Sequence, residues 1–152
     1  MSEQRANQRA THDRPPAFIS EYGKPLPHPS PTSRPFWEAA RRHELALQQC
    51  AGCGKFIHYP RPRCPECFSD RLEWKKVSGR GTIHSYTVAH FSPAPAFTEI
   101  PFVLAIVELE EGPRITTNIV APPDEVRIGM PVLAAFEDVT PECTLVKFKP
   151  AA

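Results

Sequence analysis

The stretch Cys50–Cys67, CAGCGKFIHYPRPRCPEC, constrains this chain more than any other. Two Cys-x-x-Cys pairs lie ten residues apart, with Gly54–Arg63 between them. Each pair turns two sulfurs to one side of a tight knuckle, so Cys50, Cys53, Cys64 and Cys67 can surround one ion tetrahedrally. The gap is shorter than the roughly 15–20 residues of the commonest zinc spacing, yet it leaves room for two short strands and a turn. Gly54, directly after Cys53, permits the left-handed backbone such a knuckle needs. Tetrahedral sulfur coordination suits zinc or iron. With four protein ligands no position stays open for water or substrate, which favours a structural ion over a catalytic one. His58, between the pairs, is an alternative ligand.

Cysteine usage agrees. Four of the five Cys form the two pairs and Cys143 stands alone. In a reducing compartment such pairs serve metals or redox chemistry rather than structural disulfides. No apolar run approaches the roughly 18 residues that span a bilayer. The first residues, MSEQRANQRATHDRPPAF, lack the apolar centre of a secretory signal. A cytoplasmic chain with no membrane contact is the expectation. The net charge of +1 hides an asymmetry: residues 1–80 hold 14 basic and 8 acidic side chains, and residues 81–152 hold 4 and 9. A nucleic-acid binder shows a strong basic face. The basic half here is mild and lies partly in a tail, so nucleic acid is disfavoured as a partner. A nucleic-acid-binding module of ribbon and small barrel is kept as the second reading, and a free-standing enzyme or electron carrier as the third.

Residues 1–31 are polar and proline-dense, which predicts a disordered tail. Residues 32–49 read as a helix and a lead-in strand. Ser33 can cap the helix, Pro35 fits its first turn and Glu38 suits its positive end. Phe36, Trp37 and Ala40 supply its apolar face to about Arg42, and Leu45 and Leu47 alternate toward Cys50. Residues 50–71 form the metal ribbon. Residues 72–150 carry short β-like runs: Leu72–Val77, Thr82–Phe91, Phe102–Leu109, Ile115–Val120, Val132–Phe136 and Thr144–Phe148. Turn signals separate them every 8–15 residues or so, which predicts a small antiparallel barrel or sandwich.

No residues emerge as catalytic. The chain has no Gly-rich phosphate loop, no nucleophile elbow and no metal-ligand His pair. His84 and His90 lie near Tyr86 on one predicted strand, where barrel positions explain them, and Cys143 reads as a structural or surface thiol. Arg61, Arg63, Lys75, Lys76 and Arg80 flank the ribbon, either as solvated charge or as phosphate contacts.

Taken together, FWEAARRHELALQQC, the knuckles CAGCG and CPEC with YPRPR between, LEWKKVSGRGTIHSYTV, GPRITTNIV and VRIGMPVLAAFEDV closely resemble the Zn-ribbon domain-containing OB-fold family of acyl-CoA-associated proteins. The match runs from about Arg34 to Pro150. It departs at His43, where many relatives have Gly between helix and strand. The resemblance implies a mainly β fold: a short N-terminal helix, a rubredoxin-like zinc ribbon and a C-terminal OB-fold barrel. It assigns the zinc ligands to Cys50, Cys53, Cys64 and Cys67, with iron as the alternative metal. It further implies a non-catalytic subunit that binds acyl-CoA and joins a thiolase-superfamily enzyme in a hetero-oligomer. The chemistry implied is acyl transfer, condensation or retro-aldol cleavage of lipid- or steroid-type acyl-CoA. Arg61, Arg63 and Lys76 are the candidates for contacts with the CoA phosphates.

Overall fold

The computed structural model describes residues 22–151. The helix α1 spans Arg34–Arg41, and its buried side chains Phe36, Ala39 and Ala40 recur at the spacing that puts them on one face. That face packs on strands β1 (Ala46–Cys50) and β8 (Cys143–Pro150). Ser33 holds the N-cap position without the expected side-chain cap. Its hydroxyl is engaged instead by the backbone N–H of Ser30, 2.9 Å away. The helix ends in a paired return: the N–H of His43 donates to Ala40 O (2.8 Å) and that of Glu44 to Ala39 O (3.0 Å). This closing motif needs a left-handed residue, and His43 supplies it with φ 57°.

Strands β2 (Phe56–Ile57), β1 and β3 (Leu72–Lys76) form one antiparallel sheet in that spatial order. The β3 strand, which sequence patterning places in the 72–150 segment, pairs with β1 from Ala46↔Lys76 to Cys50↔Leu72. The second body begins at Arg80. Strands β4 (Arg80–Ala89), β5 (Phe102–Leu109), β6 (Arg114–Ile119), β7 (Pro131–Thr140) and β8 close into a five-stranded barrel in the order β4-β5-β6-β8-β7. All its pairs are antiparallel except β6 with β8. That is the order and pairing of an OB fold, and closure leaves no sheet edge open.

Period-two patterning explains the barrel. On β5, Val103, Ala105, Val107 and Leu109 point inward while Leu104 and Ile106 face out. Ile83, Ile115, Ile119, Val132 and Phe148 complete the interior. Gly81 sits where β4 pairs with β5 and β7 at once, and a Cβ there would lie 2.6 Å from Glu108 O. Leu45, Leu47 and Phe36 belong to this same apolar cluster, so helix, ribbon and barrel share one core.

Residues 1–21, most of the predicted tail, lie outside the described residues. The remainder of that tail, residues 22–31, is placed against the fold rather than free of it. Lys24 Nζ reaches Glu99 Oε2 at 2.8 Å and sits 5.3 and 5.7 Å above the rings of Tyr22 and Phe97. Leu26, Pro27 and Pro29 share a pocket with Trp37 and Cys143. Prolines that cannot enter a sheet still present apolar rings to such a surface.

Candidate metal centre and the arginine turn

The two knuckles are built alike, bond for bond. In the first, Gly54 N–H donates to Cys50 O (2.8 Å) and Cys50 N–H to Lys55 O (2.9 Å). In the second, Phe68 N–H donates to Cys64 O (3.0 Å) and Cys64 N–H to Ser69 O (2.8 Å). Their four sulfurs converge, all within 4.8 Å of one another. Sγ of Cys50 lies 3.6 Å from that of Cys67, and Sγ of Cys53 lies 3.6 Å from that of Cys64. A tetrahedron of about 2.3 Å zinc–sulfur bonds has edges of about 3.8 Å, so the set fits a metal. A disulfide would need about 2.05 Å. Cys50 and Cys64 are buried and Cys53 and Cys67 exposed, which seats the site at the ribbon surface.

Polar surroundings prepare the sulfurs. The backbone N–H of Cys53, with that of Gly52 at 3.3 Å from Sγ, draws the Cys50 thiol down to about 6. Around Cys67 the Ser69 N–H works in the same direction but is outweighed. Hydrogen bonding with Cys50, burial and the other two sulfurs push this thiol up to about 11. Crowded sulfurs cannot all ionise alone; a cation lets them, with release of protons. His58 does not join the ligand set. Its ring lies 5.7 Å from Phe36 and 4.2 Å from Tyr59, and burial pushes its pKa down to about 4.

The Tyr59–Arg63 turn is held by a residue that sequence reasoning passed over. Buried Gln48 accepts from the Arg61 N–H (2.7 Å) and donates to Arg61 O (2.9 Å). An interior Gln flanked by apolar alternation is the signal that marks it. Arg61 borders a cavity of about 630 Å³ between the ribbon (Gly54–His58, Pro65, Glu66) and the barrel turn Glu111–Pro113. Arg63 Nη1 donates to Phe68 O at 3.3 Å. Lys76 stands apart from both: its Nζ pairs with Glu44 Oε1 at 3.1 Å and it borders a different cavity, of about 290 Å³. Arg61 and Arg63 make no ion pair among the described residues, so they are the cations of the three left to meet an external anion.

The other sequence candidates are dispersed. His84 sits at a bulge in β4, His90 lies past the strand's end, and both are exposed. Cys143 is half-buried and burial pushes its thiol up, away from reactivity.

Two family models divide the chain, meeting within β3. ChsH2, rubredoxin-like zinc ribbon domain, matches residues 37–73, and ChsH2, C-terminal OB-fold domain, matches residues 74–137. A DUF35 domain-containing scaffold protein of Methanothermobacter thermautotrophicus is 42% identical over 73% of this chain and 85% of its own length. The chain belongs to the DUF35 family. Among solved structures, the Ltp2-ChsH2(DUF35) aldolase aligns with a TM-score of 0.76 and 42% identity, over 83% of this chain and 99% of that one. A probable enoyl-CoA hydratase alpha subunit of Thermomonospora curvata is 47% identical over 76% of this chain, which spans only 37% of that relative. The zinc-ribbon model spans all four cysteines, so their centre is that of a zinc ribbon. Among the described residues no helix is long and apolar enough to cross a membrane.

Proposed function

We propose that this DUF35 chain is a non-catalytic accessory subunit that binds acyl-CoA and partners a thiolase-superfamily enzyme. The reactions served are acyl transfer, condensation or retro-aldol cleavage of lipid- or steroid-type acyl-CoA. The observation that carries this reading is the match, at 42% identity, to 99% of a chain of the Ltp2-ChsH2(DUF35) aldolase. The closed sulfur site supports it, because a four-thiolate ion holds architecture and offers no open coordination position. Coenzyme A joins a phosphorylated nucleotide to a neutral arm. Arg61, whose backbone is pinned by Gln48 and which borders the ribbon–barrel cavity, is the cation we assign to the phosphates.

The test is acyl-CoA binding by the complex assembled with a thiolase-like subunit, using Arg61→Ala, Arg63→Ala and the double variant. Charge-assisted contacts of about 1.5–3 kcal/mol each predict affinity losses of roughly 10-fold or more. Unchanged affinity in the double variant removes the arginine turn from the site. Failure of the assembled complex to bind acyl-CoA at all removes the ligand reading.

A further inference from the structure

Two residues other than glycine adopt the left-handed backbone among the described residues, His43 and Phe68. The first is compensated within the fold: its ring stacks on Phe136 at 5.5 Å and its Nε2 contacts Asp138 at 3.0 Å. The second is not. Phe68 occupies the knuckle position that Gly54 fills in the first pair, with φ 61° against 77° and the same hydrogen bond to the leading cysteine. The knuckle requires that conformation, and glycine meets the requirement without strain. A bulky aromatic there is an outlier. Yet the residue is 72% exposed, has no aromatic stacking partner among the described residues and does not border the ribbon–barrel cavity. Strain and exposure together mark a side chain held for something outside the chain.

We propose that Phe68 is a docking knob that inserts into an apolar pocket of the thiolase-like subunit; this rests on the accessory-subunit reading above. Arg63 fixes the Phe68 carbonyl, so the backbone is set before the partner arrives while the ring stays free. An exposed aromatic beside an arginine is the composition of protein–protein interfaces. Around the knuckle Glu66 and Asp70 are interspersed with Arg63 and Arg71, and Glu66 pairs with Lys55, so the charge is mixed rather than a basic track for a nucleic acid. A protein partner is therefore the occupant, and the solved relative that shares this fold is a component of such an assembly.

The experiment titrates the Ltp2 subunit of that aldolase into the zinc-loaded full chain and into Phe68→Gly and Phe68→Tyr. Glycine relieves the strain and removes the knob, so it raises the melting temperature of the chain alone by about 3 °C. It also weakens association at least about tenfold, as expected for an interface anchor. The tyrosine variant retains the ring but brings a hydroxyl to an apolar pocket, so it binds more weakly than wild type and more tightly than Phe68→Gly. Equal affinity of Phe68→Gly and wild type overturns the knob while leaving the accessory-subunit reading intact. A fall in melting temperature for Phe68→Gly means that the ring is covered within the chain, residues 1–21 included, and overturns it too. Self-association of the chain alone that vanishes in Phe68→Gly puts a second copy in place of the partner. A wild type that does not bind Ltp2 overturns both readings together.

Discussion

His58 shows how a single residue can record the packing around it. Its ring is wedged between Phe36 and Tyr59, and neither ring nitrogen has a hydrogen-bond partner among the described residues. Burial favours the neutral ring and lowers its pKa to about 4, against about 6.5 in an unfolded chain. The folded state therefore resists protonation that the unfolded state accepts. This contribution is fully present above about pH 6.5 and is lost as the pH falls from there toward 4. The shift corresponds to about 3 kcal/mol across that window. Replacing the ring by Phe fills similar space without two unsatisfied nitrogens, so His58→Phe is expected to be neutral to stabilising at pH 7. Its advantage over wild type grows between pH 6.5 and 4, read as the difference in denaturant unfolding free energy. The comparison holds over the pH range in which both proteins keep their metal, because His58 lies between the knuckles and loses its burial when they open. A difference that stays flat with pH would show that the imidazole titrates as if solvated.

At the scale of elements, local periodicity was the most legible signal. The run Phe102–Leu109, read from its nearly continuous apolar character and the turn at Glu111–Pro113, matches β5 residue for residue. The β7 strand extends past the predicted Phe136 to Thr140, because a register shift at Asp138/Thr140 lets polar residues continue the pairing. The metal site was legible because its ligands lie close in sequence. The cavity beside Arg61 was not, since Glu111–Pro113 reach it from about fifty residues away and no local pattern encodes that approach. Phe68 was visible in principle: aligning CAGCG with CPECF sets an aromatic against a glycine. The ribbon's own buried cluster is small, being Cys50, Ile57 and Cys64 with Leu72 against it. Four such side chains cannot offset the chain entropy of two knuckles, whereas metal binding contributes about 10–16 kcal/mol in comparable small sites. Chelation, or Cys64→Ser, is expected to abolish hydrogen-exchange protection at the Gly54, Cys64 and Phe68 amides. The β5 and β6 amides stay protected, because their apolar interior does not include the metal. Equal loss in both regions would show that the barrel depends on the ion for its own stability.

The whole molecule is joined through β1. Leu47 is buried in the barrel cluster, and three residues along the same strand Cys50 holds the metal centre. Gln48, between them, fixes the arginine turn. One five-residue strand therefore sets the position of the ribbon, the turn and the knuckle tip relative to the barrel. On the proposed accessory-subunit reading this matters, because Arg61 beside the cavity and the ring of Phe68 at the knuckle could meet ligand and partner together only if the two bodies keep a fixed relation. The coupling has a measurable consequence. Leu47→Ala opens a cavity in the shared core and is expected to cost about 2–5 kcal/mol of global stability. Because it loosens the strand that carries Cys50, it also speeds zinc transfer to a competing chelator. Ile57→Ala removes a side chain of the ribbon's own cluster, so it speeds zinc transfer while leaving the protection of β5 and β6 near wild type. Exchange rates and chelator kinetics measured on both variants distinguish a shared core from two bodies in mere contact. If Leu47→Ala lowers barrel stability with no change in zinc retention, the ribbon and barrel are mechanically independent, and the strand does not carry the relation between them.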